Sequence, residues 1–263
     1  RDRACLAQAA IDLAIIAFAV TYGYATRRTS SPWLIVLRLA YAPILFWVFY
    51  SQTAVIWPTL HAGPFDETIA RMDHAVFGLQ PSLELFRAWP SPALSEACCF
   101  AYFSYFLYTP FVLGVLLVRR GYETAERAMF ATALCFYACY AFFWIFPTVG
   151  PHYFFPPRTG PQLYRGYVFN HLLFFLTSRG EIPGGAFPSS HVAVAVLLTL
   201  LARRASAVLF RVLLPVTLAI CFAVVYLRAH YAVDVPAGIA VGLLFHGLAP
   251  RVQDRIRGLA RPR

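Results

Sequence analysis

Long apolar runs constrain the fold of this chain more than any other feature. A membrane-spanning helix needs about 20 mainly apolar residues, and most of these runs reach or approach that length. They lie at about 4–25, 32–56, 94–118, 128–147, 187–202, 206–227 and 232–249. We therefore expect an all-α fold, a polytopic transmembrane helix bundle with about seven spans, or six if the short fifth run does not cross.

Two longer polar connections, at about 57–93 and 148–186, interrupt the regular succession of spans. Each contains amphipathic sequence, such as 163–177, and this pattern is typical of helices that lie along the membrane interface. The first apolar run has no small-residue cleavage site, so we expect a retained helix rather than a signal peptide. We treat residues 1–263 as a single integral membrane domain.

The distribution of arginine predicts the orientation of the bundle. The formal net charge is +10, but the arginines cluster at the ends of apolar runs instead of forming a basic face for nucleic acid. With seven crossings, one side receives the turns with Arg27, Arg28, Arg119, Arg120, Arg127, Arg203 and Arg204, and also the basic tail. The positive-inside rule makes this side cytoplasmic. The protein is then expected in the cell membrane, with the two long connections on the extracytoplasmic side.

Two short polar segments stand out in this apolar chain. The first is Gly184-Gly185-Ala186-Phe187-Pro188-Ser189-Ser190-His191, and the second is Arg228-Ala229-His230-Tyr231-Ala232-Val233-Asp234. Ionisable residues in or beside membrane spans are costly and usually functional. The predicted topology places both segments on the extracytoplasmic side, although the charge count made no use of them.

The residue types in these segments favour phosphoryl transfer. If the last span begins near Arg228, Asp234 shares a helix face with His230 and can orient its imidazole. His191 opens another helix after two serines and a Gly-Gly turn, where exposed N–H groups suit an anion such as phosphate. One histidine can then attack phosphorus while the other protonates the leaving oxygen. This chemistry requires no metal ion, and none of the six cysteines has a convincing zinc or disulfide setting.

Together these motifs resemble the type 2 phosphatidic acid phosphatase (PAP2) superfamily, and more closely its inositol phosphorylceramide synthase-like branch. The likeness covers about residues 60–245 and rests on 188–191, His230-x3-Asp234, Asp73-x4-Gly78, Pro81 and 146–151. The resemblance implies that His230 is the nucleophile, Asp234 its partner and His191 the general acid and later base. It also implies a phosphate cradle formed by Ser189, Ser190 and neighbouring backbone amides, with no cofactor.

The chain departs from the superfamily pattern at its arginines. The lysine-containing first motif is absent, and the arginine normally found six residues before the second histidine is replaced by Val224. Arg228 lies four residues later, so on a continuous helix it returns to the same face and could serve the same phosphate. Arg158 and Arg165 are candidates to replace the first motif, with an interfacial role as the alternative.

The sequence leaves several functions open. Hydrolysis of a lipid phosphate is our first choice, because water as acceptor needs no second dedicated site. Transfer of a phospho-headgroup to a lipid alcohol, as in inositol phosphorylceramide synthases, is the alternative within the same chemistry. A proton-coupled lipid transporter is the alternative of another class, but no inverted repeat is found. The expected partners are a lipid phosphate and membrane lipids, with no nucleic acid.

Overall fold

The computed structural model describes residues 2–26, 31–155, 166–180 and 182–259, and these residues form helices and no strand. The helices are α1 (Asp2–Thr26), α2 (Pro32–Leu60), α3 (Asp66–Phe77), α4 (Pro81–Ala88), α5 (Pro92–Arg120), α6 (Tyr122–Ile145), α7 (Pro151–Phe154), α8 (Val168–Gly180), α9 (Ser190–Ala202), α10 (Ala207–Tyr226) and α11 (Asp234–Leu259). The expected all-α fold is confirmed.

Six of the helices described are long and apolar enough to cross a membrane, namely α1, α2, α5, α6, α10 and α11. The fifth predicted span corresponds to α9, whose 13 residues give a length of about 20 Å, against about 30 Å for a hydrocarbon core. Most of α9 is buried by other helices. Its length therefore need not match the lipid, since protein surrounds it at the centre of the bundle.

The close packing of α9 and α11 brings the two polar segments together. A Cβ atom at Gly238 of α11 would lie 2.6 Å from the Ser189 carbonyl oxygen, and one at Gly242 would lie 2.5 Å from that of Ala193. Only glycine permits so close an approach of the two backbones. Helices α5, α6 and α10 also pack against α9, whereas α1 contacts mainly α2.

The two ends of the bundle differ in charge. At one end Arg127 pairs with Asp254 and Arg257 with Glu126, each at 2.7 Å. Arg120 donates to the carbonyl of Ala205 at the same end. The start of α9 and the end of α10 lie at the opposite end, so the arginine-rich turns and the polar segments are separated as expected. Arg27 and Arg28 lie outside the described residues.

The two long connections contain α3, α4, α7 and α8, in agreement with the expectation of helices in these loops. The Glu96 carboxylate accepts hydrogen bonds from the amides of Tyr167 and Phe169, each at 2.7 Å, and so caps the start of α8. In the N-terminal part, Gln52 of α2 donates to Asp12 of α1 at 2.7 Å. Asp12, a carboxylate within the first span, thus has a structural partner.

Candidate active site

His191 lies in the first turn of α9. Ser189 is the N-cap residue of this helix, and its hydroxyl accepts a hydrogen bond from the Val192 amide at 3.3 Å. The Ser189 amide in turn donates to the backbone carbonyl of Asp234 at 3.2 Å. The lone pairs of the Ser189 hydroxyl are therefore partly used to cap the helix, in addition to the phosphate-binding role predicted from the sequence.

His230 lies in the connection between α10 and α11, not on a helix. The prediction that a helix begins near Arg228 was wrong, because α10 ends at Tyr226 and α11 begins only at Asp234. Arg228 has a positive φ of 61°, a conformation that reverses the chain direction after a helix. His230 and Asp234 therefore approach each other across a turn, rather than along a helix face.

The imidazoles of His191 and His230 are in direct contact. Nδ1 of His191 lies 3.2 Å from Nε2 of His230, which is hydrogen-bonding distance. The other ring nitrogen of His230, Nδ1, lies 3.3 Å from Oδ2 of Asp234. The structure thus brings together the three residues for which catalytic roles were predicted.

A second acceptor for His230 Nδ1 was not predicted from the sequence. The backbone carbonyl of Ala186 lies 2.7 Å from this nitrogen, closer than Asp234. A carbonyl oxygen can only accept, so Nδ1 of His230 carries the proton and Nε2 of the neutral ring has a free lone pair. The hydrogen bond between the rings then requires the proton on Nδ1 of His191. His230 has the form of a nucleophile and His191 that of a proton donor.

Arg228 is buried in the same connection, with 7% of its surface exposed. Its Nη2 donates to the Pro151 carbonyl at 3.4 Å, and its Nε has no partner among the described residues. Burial, together with the charge of Arg228, lowers the pKa of His152. The predicted equivalence of positions 224 and 228 on one helix face was wrong, because α10 ends at Tyr226 and Arg228 lies in the turn that follows it. Arg158 and Arg165 lie outside the described residues.

Two aspartates of α3 support the loops around the histidines, a role that the sequence did not indicate. Asp66 accepts hydrogen bonds from the amides of Val149 and Gly150. Asp73 accepts them from the amides of Ala232 and Val233. Burial raises the pKa of both carboxyls, and the amide donors oppose this shift. All these contacts come from donors, so the ionised carboxylate is the form that fits.

A cavity of about 400 Å³ reaches the histidines from within the bundle. Aromatic side chains of α2, α5 and α6 form much of its wall, which also includes residues of α8 and of 182–186. Ser190, His191, Ala229 and His230 line it as well. The rings of Tyr102 and Tyr105 lie on His191, with centroid distances of 4.7 and 4.4 Å. The site therefore joins a polar reaction centre to an apolar chamber.

Comparison with known proteins identifies a family for the chain. A model of the PAP2 superfamily matches residues 67–248, well over half of the chain. No curated protein and no solved structure gave a significant match, and the closer likeness to inositol phosphorylceramide synthases stays a prediction. PAP2 proteins are phosphatases and phosphotransferases, which supports an enzyme of this general type. The chain, a helical bundle whose two histidine motifs meet inside the matched region, therefore belongs to the PAP2 superfamily.

Proposed function

We propose that the protein is an integral membrane enzyme that hydrolyses a lipid phosphate through a phosphohistidine on His230. The observation that carries the proposal is the contact between His191 Nδ1 and His230 Nε2, at 3.2 Å. The acceptors on His230 Nδ1 direct the lone pair of the opposite nitrogen toward His191. This polarity supports nucleophilic attack by one ring and proton donation by the other.

In the first step, Nε2 of His230 attacks phosphorus, so that a P–N bond forms and the bond to the leaving oxygen breaks. His191, which carries a proton on both ring nitrogens when it acts as the acid, gives its Nδ1 proton to that oxygen and becomes neutral. In the second step His191 takes a proton from water, the resulting hydroxide attacks phosphorus, and the P–N bond breaks. Asp234 and the Ala186 carbonyl hold the Nδ1 proton of His230 throughout and stabilise its positive charge.

Substrate binding must move the two rings apart. Attack requires about 3 Å between nitrogen and phosphorus, and proton donation requires a further hydrogen bond of about 2.8 Å to the leaving oxygen. Both cannot fit within the 3.2 Å that separates the two nitrogens. A phosphate group therefore replaces the hydrogen bond between the rings. His191 then donates its Nδ1 proton in a hydrogen bond to the substrate instead of to His230.

Arg228 is our candidate for the phosphate clamp, together with Ser189, Ser190 and the first amides of α9. Its guanidinium is buried, and its Nε–H has no acceptor among the residues that the structure describes. Such a group can hold two phosphate oxygens as negative charge develops. Arg158 and Arg165 stay candidates for a second cationic contact. None of these assignments needs a metal ion.

The aromatic cavity supports a substrate with a lipid tail. It extends from the histidines to Pro43 of α2 and Pro110 of α5, both in the middle of their helices. Tyr102 and Pro110 both line the cavity and are eight residues apart on α5, which corresponds to a depth of about 12 Å. An apolar chamber of this depth beside a phosphate site suits an amphiphile. Water as acceptor gives hydrolysis, and a lipid alcohol in the same chamber would give transfer.

We propose that this site faces the extracytoplasmic side. The support is the separation of the arginine-rich turns from the histidines along the bundle, combined with the positive-inside rule. A phosphorylated lipid in the outer leaflet would then present its headgroup at the level of the site.

The deciding experiment is an assay of the purified chain with a panel of lipid phosphates and pyrophosphates, in the presence of a metal chelator. We expect phosphate release and an acid-labile, base-stable phosphoryl label on the protein. His230→Ala should abolish both, because it removes the attacking nitrogen. A label that survives in this variant would refute the assignment of His230. Absence of phosphate release over the whole panel would favour the transporter alternative.

A further inference from the structure

Helix α3 has two buried carboxylates on one face. Asp66 and Asp73 are both fully buried, and they are seven residues apart, which is close to two helical turns. Neither carboxylate has an ion-pair partner among the described residues. Instead, each one binds the backbone of a different active-site loop. Burying an acidic group is unfavourable unless hydrogen bonds compensate it. These two carboxylates therefore depend on their hydrogen bonds to the loops, and through them α3 holds the loops in place.

A first branch of hydrogen bonds leads from Asp73 to Asp234. Oδ2 of Asp73 accepts from the Ala232 amide at 3.0 Å, and Oδ1 accepts from the Val233 amide at 2.9 Å. The remaining amide between the histidine and its aspartate, that of Tyr231, donates to Oδ2 of Asp234 at 2.8 Å. All three amides between His230 and Asp234 therefore bind carboxylates. The path of this loop, and with it the position of the Asp234 carboxylate, depends on α3.

A second branch of hydrogen bonds leads from Asp66 to the carbonyl of Ala186. The Asp66 carboxylate binds the amides of Val149 and Gly150 at 2.7 and 2.8 Å. The preceding residue, Thr148, accepts from the Ala186 amide through its backbone carbonyl, at 3.1 Å. Its hydroxyl oxygen accepts from the Phe187 amide at 2.8 Å. Thr148 thereby fixes the peptide whose carbonyl lies 2.7 Å from His230 Nδ1.

We infer that Asp66, Asp73 and Thr148 are positioning residues for the nucleophile, acting through two separate hydrogen-bonded branches that hold the two acceptors of His230 Nδ1. The Tyr231 hydroxyl, which donates to Asp66 at 2.9 Å, joins the branches. This inference rests on the proposed function, because it assumes that His230 reacts. It assigns to α3, a helix without catalytic groups, the orientation of the imidazole.

Thr148 provides the sharpest test because its hydroxyl can be removed with almost no change of volume. Thr148→Val leaves the Phe187 amide without its acceptor, whereas Thr148→Ser keeps that acceptor. Thr132→Val is the matched control, since among the described residues this buried threonine of α6 donates to the Ala128 carbonyl of its own helix and to no other group. Asp73→Asn tests the other branch. Each variant would be purified as the full chain and mixed with radiolabelled phosphatidic acid, and the phosphoenzyme would be measured in a single turnover by rapid quench.

The rate constant and the amplitude of labelling separate positioning from folding. We expect Thr148→Val and Asp73→Asn to lower the rate constant between about tenfold and a hundredfold at wild-type amplitude, since a misplacement of 1 Å costs about a hundredfold. Thr148→Ser and Thr132→Val should stay near wild type. A lower amplitude with an unchanged rate constant, or no change at all, would overturn the inference. If neither phosphatidic acid nor any other member of the panel of lipid phosphates and pyrophosphates labels the wild type, or if the label survives His230→Ala, the proposed function itself fails.

Discussion

Replacement of Asp234 by asparagine tests how the work of orienting His230 is divided. The carboxylate lies 3.3 Å from Nδ1 of His230, and at an effective dielectric constant of about 20 a charge pair at this distance is worth at most about 5 kcal/mol. This value limits the loss of rate to several thousandfold. The Ala186 carbonyl, at 2.7 Å, still holds the Nδ1 proton in the variant. We therefore expect the substitution to raise the activation free energy by about 2.7 kcal/mol, which lowers kcat about a hundredfold.

The assay is steady-state phosphate release from a lipid phosphate, with kcat and KM determined separately and the melting temperature measured on the same preparation. KM should change little, because the charge matters mainly when His230 becomes positive. Oδ1 of Asp234 has no partner among the described residues, so an amide nitrogen there costs stability, by about 1–3 kcal/mol. A rate within threefold of wild type, or an effect mainly on KM, would refute a charge-stabilising role. A loss near ten-thousandfold would show that Asp234 alone sets the tautomer.

Two further predictions concern the phosphate clamp and the orientation of the bundle. Arg228→Lys should lower kcat/KM about tenfold and Arg228→Ala about a hundredfold, because lysine keeps the charge without the two-pronged geometry; full activity in Arg228→Ala would make the residue a structural anchor. A cysteine at the exposed Tyr167 should react with an impermeant thiol reagent added to intact cells, whereas one at Arg203 should not. The reverse pattern would place the site in the cytoplasm. The protein without an introduced cysteine measures the background reaction of its own cysteines.

Much of the fold followed from hydropathy alone, since the cost of exposing backbone polar groups to lipid leaves helices as the default for long apolar runs. The short fifth run was the ambiguous element. The structure explains its length, because α9 is enclosed by protein and is free from the requirement to match the membrane. The side chains that enclose it come from distant parts of the chain, so a local count of apolar residues could not identify it as the central helix.

The candidate site was predictable where it depends on side chains and less so where it depends on backbone. His191, His230 and Asp234 could be grouped from their motifs and from the predicted topology. The Ala186 carbonyl could not, because any residue carries a carbonyl and only the fold aims this one at His230. The assumed helix through Arg228 was wrong for a related reason: the left-handed conformation at an arginine has no strong local signal, whereas a glycine would have indicated it.

The carboxylates of α3 also have a consequence for the biosynthesis of the protein. Asp73 is bound by an amide 160 residues further along the chain, and Asp66 by amides 83 and 84 residues away. At about 5–20 residues per second, a ribosome needs roughly 8–32 s to make those 160 residues. During this time Asp73 must stay hydrated, because its partners do not yet exist. The reaction centre is therefore completed only when α11 is in place, and the growing chain has no catalytic activity until then.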